Sequence, residues 1–245
     1  MSRHIPIFTT LAVLSMLTVG CAGGSGGPLN TLMEQVRFDD PLADRTYIQN
    51  QDVIEVPESV PALVEYLSND ESPKVNAWAA LILGRIGDPQ AVPALTTALS
   101  NSDTDTRNRA VGALSLIGET EAEGAFIEAL RSGNRDAQIT ALVELEKMAS
   151  TNAVPAIADT ARANDGMISK NAIDTLGGIG DASAAAPLVE LALSTNLDDS
   201  LRRAAIMNLH RMAVPEATAG LQEVITGLGE QEGTDELLQL ARDQG

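Results

Sequence analysis

The chain has 245 residues, with 34 acidic against 16 basic side chains and a formal charge of −18 at neutral pH. That excess of carboxylates repels phosphate backbones and anionic headgroups, which argues against nucleic acid as a ligand. The composition is 44% apolar but only 2% aromatic, with Ala and Leu prevailing, and it predicts closely packed helices.

In chain order, "MSRH" offers a short basic start with Arg3, followed by the uncharged apolar run Ile5–Val19. The run is too short for a comfortable membrane span and suits a signal-peptide core, placing residues 1–20 in a leader. Small residues in "TVGC" (18–21) precede the single cysteine, and residues 21–28 form a glycine- and serine-rich tether. A lone cysteine is a poor disulfide half in an oxidising compartment and a sensible anchor. The segment resembles the lipobox of bacterial lipoproteins, with Thr18 where that pattern more often has leucine. The resemblance implies lipidation of Cys21, with acyl chains such as palmitate, and cleavage just before it. Ala22, where aspartate would favour inner-membrane retention, implies an outer-membrane anchor facing the periplasm. Residues 29–57 contain Phe38, Tyr47, Ile48, Val53 and Ile54 without clear periodicity and are expected to form an irregular cap over the first repeat of the adjoining region.

From 58 to 228 the chain repeats every 31–33 residues, the signature of a solenoid. Each unit predicts two helices. The first begins near Pro61, Pro93, Gly124, Pro155, Pro187 or Ala219, and proline suits a first turn because its missing N–H has no partner there. Apolar Leu63, Leu95, Phe126, Ile157, Val189 and Leu221 follow, then Leu67, Leu99, Leu130, Ala161, Leu193 and Ile225 four residues on. In the second helix Ala79, Ala110, Ala141, Ala172 and Ala205 form one column. Leu83, Leu114, Leu145, Leu176 and Leu209 form the next, and Ile86, Ile117, Met148, Ile179 and Met212 the third. This i, i+4, i+7 pattern is an amphipathic helix. Gly87, Gly118, Ala149, Gly180 and Ala213 then mark left-handed ends, and Asp88, Ser150 and Asp181 are candidate caps. Residues 229–245 read as a C-terminal capping helix, with Thr234 or Asp235 at its start.

These columns resemble HEAT repeats of the short bacterial kind related to the phycobilin lyase HEAT-like repeat, and "KVNAWAALILGRIGDPQAVPAL" (74–95) is the best copy. The resemblance implies an all-α, right-handed solenoid of five to six two-helix repeats. The arginine of that pattern falls at Asn76, Arg107, Gln138, Ser169 and Arg202, so its loss in three repeats is expected to leave stacking more dependent on apolar packing.

No constellation predicts catalysis, a cofactor, a metal or a small-molecule substrate. His210 stands without a second histidine or thiol, in a column with Gly84, Ser115, Glu146 and Gly177 expected to face away from the core. "SDTDT" (102–106) and "LDDS" (197–200) lack the ligand pattern of an EF-hand and read as helix starts. The glycines of "GGIG" (177–180) close a helix and follow no strand. The chain is therefore expected not to be an enzyme, and bilin-lyase relatedness ranks as a third reading. The second helices offer a face away from the core with Lys74, Ala77, Trp78, Leu81, Arg85, Asn108, Arg109, Leu116, Ile139, Val143 and Lys147. In HEAT-like solenoids this face lines the concave side, and apolar groups among cations suit an acidic or amphipathic peptide. The expectation is a membrane-anchored periplasmic scaffold that binds a protein or peptide partner in an envelope complex, through Trp78, Leu81, Arg85, Arg109, Leu116, Ile139, Val143 and Lys147. The alternative is a structural accessory lipoprotein without a groove, in which Trp78 and Leu81 pack under the N-terminal cap.

Overall fold

The computed structural model describes residues 27–163, 165–229 and 235–243. The leader, Cys21 and most of the tether lie outside these residues. Among the described residues the secondary structure is helical throughout, and no helix is long and apolar enough to cross a membrane.

Six helix pairs follow one another. They are α3 (Val60–Asn69) with α4 (Pro73–Ile86), α5 (Val92–Ala98) with α6 (Thr104–Ile117), and α7 (Glu119–Arg131) with α8 (Arg135–Lys147). Next come α9 (Val154–Arg162) with α10 (Gly166–Ile179), α11 (Ala185–Leu193) with α12 (Asp199–Arg211), and α13 (Pro215–Gly229) with α14 (Asp235–Asp243). First helices pack on first helices, and second on second except at α6 and α8, so the chain is a two-layer all-α solenoid with one continuous core from Leu32 to Ala241. No pair could bury its apolar stripe alone, and stacking buries it against the neighbours. The Ala and Leu columns of the second helices are fully enclosed. In the first helices Leu63, Leu95, Phe126, Ile157, Val189 and Leu221 are buried, while Leu193 and Ile225 are half-buried.

The N-terminal segment differs from expectation. Residues 29–57 are not irregular: they hold α1 (Pro28–Arg37) and α2 (Ala43–Ile54), a helical hairpin. Leu32, Met33, Val36, Tyr47 and Ile54 are buried, and α1 packs on α4. Arg37 pairs with Asp70, and the Tyr66 hydroxyl lies 3.2 Å from Asn30 Oδ1. Short helices joined by the "FDDPL" turn (38–42) hide the 3.6-residue period in so brief a stretch.

The helix ends divide. Gly87 and Gly180 adopt left-handed φ of 72° and 68°, and Ala149 does so at 48° despite its Cβ. Gly118 is extended at φ 167° instead, and α7 begins directly after it. Met212, not Ala213, is the extended C-cap of α12. Asp88 and Asp181 accept from the N–H two residues on, and Ser150 Oγ accepts from Ala153 N.

The arginine column makes its hydrogen bonds within each repeat. Arg107 donates to the Asn101 and Ser102 carbonyls, Gln138 to Leu130, Ser169 to Thr160 and Arg202 to Ala192. Arg107 ties its helix to the turn that precedes it, and the others tie theirs to carbonyls in the last turns of the first helix, so Gln and Ser keep a tie without the charge. Asn76 is the exception, with its buried Oδ1 lacking a hydrogen-bond partner.

Candidate functional site

The second helices expose a stripe set by helical geometry. Relative to the core alanine it contains the residues five before, one and two before, two after and six after, which share a face at about 3.6 residues per turn. Among the described residues the large exposed apolar side chains fall into two groups. Phe38, Leu42, Ile48 and Val53 belong to the N-terminal hairpin and its turn, while Leu116, Val143, Met167 and Met207 all sit on this stripe. The first helices contribute none to the set.

Charge is segregated in the same way. All three lysines of the chain, Lys74, Lys147 and Lys170, lie on the stripe with Arg85, Arg109, Arg203 and Arg211, against the acids Asp105, Asp136 and Asp174. At the positions of the stripe itself basic side chains thus outnumber acidic ones in a chain with twice as many acids as bases.

The N-terminal end of the stripe is covered. Tyr47 of α2 meets the Trp78 ring edge-on at 5.3 Å between centroids, and Arg85 lies over the Tyr47 ring at 5.4 Å. Glu55 accepts from Tyr47, from Gln51 and from Arg85 at 3.4 Å, while Lys74 pairs with Asp39. Burial raises the Tyr47 pKa to about 12, with the Glu55 hydrogen bond adding to it. Burial opposes ionisation of Glu55, but the hydrogen bonds from Tyr47, Gln51 and Arg85 outweigh it and hold that carboxyl below its ordinary range. At the other end Arg203 pairs with Glu236 of α14 at 3.2 Å.

Between these ends the cations pair within their own helices: Arg109 with Asp105 at 3.0 Å, Lys147 with Glu144 at 2.7 Å and Lys170 with Asp174 at 2.6 Å. Such exposed local pairs contribute about 0.3–0.5 kcal/mol each and exchange readily for another carboxylate.

The residues predicted for this face therefore separate. Trp78, Arg85 and Lys74 are engaged by the hairpin, Leu81 is half-buried, and Ala77 is buried rather than on the face. Arg109 borders a hollow with Asp39, Asp44, Lys74 and Trp78 beside the hairpin, while Leu116 lies on α6 and Ile139, Val143 and Lys147 on α8, with Ile139 half-buried and Asn108 exposed. Sequence reasoning stopped at the third repeat and missed Met167, Lys170, Arg203, Met207 and Arg211. The columns of Val143 and Lys147, carried two repeats further, would have found Met207 and Arg211.

The column of His210 divides: Ser115 and Glu146 are exposed as expected, whereas Gly84 and Gly177 face a neighbouring helix. Gly84 is buried, and a Cβ there would meet Ala113 Cα at 2.5 Å; one at Gly177 would strike Asn208, whose Nδ2 donates to Asp174 at 2.9 Å. His210 itself is half-buried. Asp103 caps α6 by accepting from Thr106 N, and its carboxyl lies below the ordinary range because of hydrogen bonds from Thr106. Among the described residues no group of three or more His, Cys, Asp or Glu side chains is placed to hold a metal. A hollow of about 720 Å³ lies between α5 and α7, but its Thr96, Thr97 and Ser132 hydroxyls are committed to carbonyls of their own helices.

Stacked helix pairs in two layers, closed by an alanine–leucine seam, define an α-solenoid. Residues 60–125 and 123–210 match the sequence profile of the HEAT repeats, and the chain belongs to that family. No curated protein matches the chain by sequence. It is similar in fold to human deoxyhypusine hydroxylase in complex with glycerol, at 19% identity over 89% of this chain and 85% of that one, with a TM-score of 0.42. An engineered protein is similar at 21% identity over 76% of this chain and 94% of its own, TM-score 0.42. The complex of CpcE and CpcF of phycocyanin lyase from a Nostoc species is similar at 18% identity over 95% and 98%, TM-score 0.40. The expectation that the chain is not an enzyme is corrected by these structures, since proteins of similar fold include a hydroxylase and a lyase. Each likeness is of fold alone and carries no reaction to this chain.

Proposed function

We propose that this protein is a lipid-anchored scaffold, held through Cys21 at the periplasmic side of the outer membrane, whose second-helix face holds a segment of a protein partner in an envelope complex. HEAT repeats are interaction scaffolds, and that much follows from the family. The observation that carries the proposal is that, within the described repeats, the large exposed apolar side chains and the three lysines fall on the second-helix face and not on the first helices. Scattered single apolar residues need no explanation, whereas a set confined to one face and mixed with cations marks an interaction surface. The anchor rests on the lipobox-like "TVGC" and the tether after it.

The test has two arms. Metabolic labelling with palmitate should mark the wild-type chain, and Cys21→Ala should abolish the label and move the protein from membrane to soluble fractions. Crosslinking in intact envelopes should trap a partner through Leu116, Val143 or Met207 and not through the first-helix surface. A soluble, unlabelled wild-type chain removes the anchor, and crosslinks confined to the first helices remove the face.

A further inference from the structure

Along the stripe, the position six after the core alanine carries a long side chain on four second helices, as Arg85, Leu116, Lys147 and Arg211. On α10 it is Gly178. Here the second layer is closely packed, with α10 against both α8 and α12. A hollow of about 490 Å³ lies across the three helices, bounded by Glu146 of α8, Lys170 and Asp174 of α10, and Met207 and Arg211 of α12. Residues 170, 174 and 178 share one ridge of α10, so a long side chain at 178 would stand in line with this wall. Glu146 leans into the space instead, and a Cβ on Gly178 would meet its carboxylate.

The charges around the hollow divide. Lys170 pairs with Asp174 at 2.6 Å, and Arg203 pairs with Glu236 at 3.2 Å. Among the described residues neither Glu146 nor Arg211 has an ion-pair partner, and Arg211 makes only a long hydrogen bond of 3.4 Å to Asn208 Oδ1. Asn208 is itself held, donating to Asp174 at 2.9 Å and to the Ala204 carbonyl at 3.0 Å. Glu146 and Arg211 stand on opposite sides of α10. Packed helix axes are about 8–10 Å apart, which puts α8 and α12 about 16–20 Å from each other. Met207, 48% exposed, sits one turn before Arg211. One anion and one cation without partners, with a thioether beside the cation, select a ligand of mixed charge. Resting on the partner-holding reading proposed for this face, we infer that this hollow takes an extended segment of a protein partner with a basic, an aliphatic and an acidic side chain at alternate positions. Alternate side chains of an extended chain share one face about 6.4–6.8 Å apart. The basic group meets Glu146, the aliphatic one Met207 and the acidic one Arg211. A segment of a single sign would bring like charges together at one end.

The probe is a capped Lys-Ala-Leu-Ala-Glu peptide, compared with capped Glu-Ala-Leu-Ala-Glu and Lys-Ala-Leu-Ala-Lys. Each is titrated against the full chain in non-ionic detergent by ligand-observed NMR. The mixed peptide should bind saturably and about fivefold more tightly than either other one, the scale of one exposed ion pair. Arg211→Glu should transfer the preference to the dibasic peptide and Glu146→Lys to the diacidic one. Gly178→Leu should weaken the mixed peptide by about fivefold without lowering the thermal melt, since leucine favours a helix over glycine. Leu116→Asp, on α6, should change binding by less than about twofold. Equal binding of the three peptides, preferences that ignore both charge reversals, a loss at Leu116→Asp matching that at Gly178→Leu, or no saturable binding overturns the inference. Photo-crosslinkers at 116 and at 207 in intact cells separate the two claims. A partner trapped at 207 through a mixed-charge segment supports both, and one trapped there through a segment of a single sign overturns the assigned occupant. A partner trapped at 116 alone leaves the scaffold reading standing and removes this one. No crosslink at either position removes both.

Discussion

The α4/α6 and α6/α8 junctions are built from the same columns in successive repeats, with matching core alanines and leucines, yet one is closed and the other open. The core columns are not what differs. At Gly84 the backbones of α4 and α6 meet against Ala113, while beside the open junction Leu116 of α6 and Val143 of α8 stay exposed. In a repeat protein the buried seam sets the fold, and the inter-repeat columns beside it set where the surface opens.

The largest effect that would break this comparison comes from the seam itself. Leu145→Ala, in the enclosed leucine column, should cost about 2–5 kcal/mol in urea unfolding. Leu116→Ala on the open face should stay within about 0.5 kcal/mol. Similar losses at both positions would mean that α6 and α8 close over Leu116.

A smaller and sharper effect lies in the sign of one substitution made twice. Gly84→Ala places a Cβ 2.5 Å from Ala113 Cα, so the helices must separate, at a cost of about 1–3 kcal/mol. Gly112→Ala on α6 meets nothing within 4 Å and should stabilise by up to about 1 kcal/mol through helix propensity. Thermal melts of the two variants should shift in opposite directions. A shift of the same sign in both would contradict the close packing of α4 on α6.

The smallest expected effect concerns the covered end of the stripe. The Tyr47 pKa is raised from 10 to about 12, so its contribution is complete below about pH 10 and fades as pH rises through about 12. The Glu55 pKa is lowered, so its contribution is present above about 4.5 and is lost as pH falls through the lowered value. Trp78, the only tryptophan, reports both, and its emission should move to the red at each extreme as α2 loosens. Tyr47→Phe should remove the alkaline phase and leave the acid one. An alkaline shift that survives Tyr47→Phe would assign the transition to another group.

Much of the fold was legible because its signals are local and repeated. Ala79, Leu83 and Ile86 recur in five copies, so a single ambiguous helix could not mislead the reading. The hairpin at 29–57 was not legible, since α1 and α2 occur once and have no second copy against which to align a period. The site was legible by face and not by location. Trp78 carried the strongest sequence signal and proved to be covered by Tyr47, while Met207 and Arg211 carried a weaker one and were missed.

The sequence by itself determined the helical class, the repeat length, the buried columns and the acidic excess, because each follows from residue type and spacing along one helix. The closing of one junction and the opening of the next were decided only by tertiary structure. Closing depends on two residues about thirty positions apart, Gly84 and Ala113, meeting across a backbone contact. The column of Gly84 and His210 shows the physical reason most plainly. Glycine along a helix reads as a weakness costing about 1 kcal/mol, and becomes a point of contact only when Ala113 of the next repeat is placed against it.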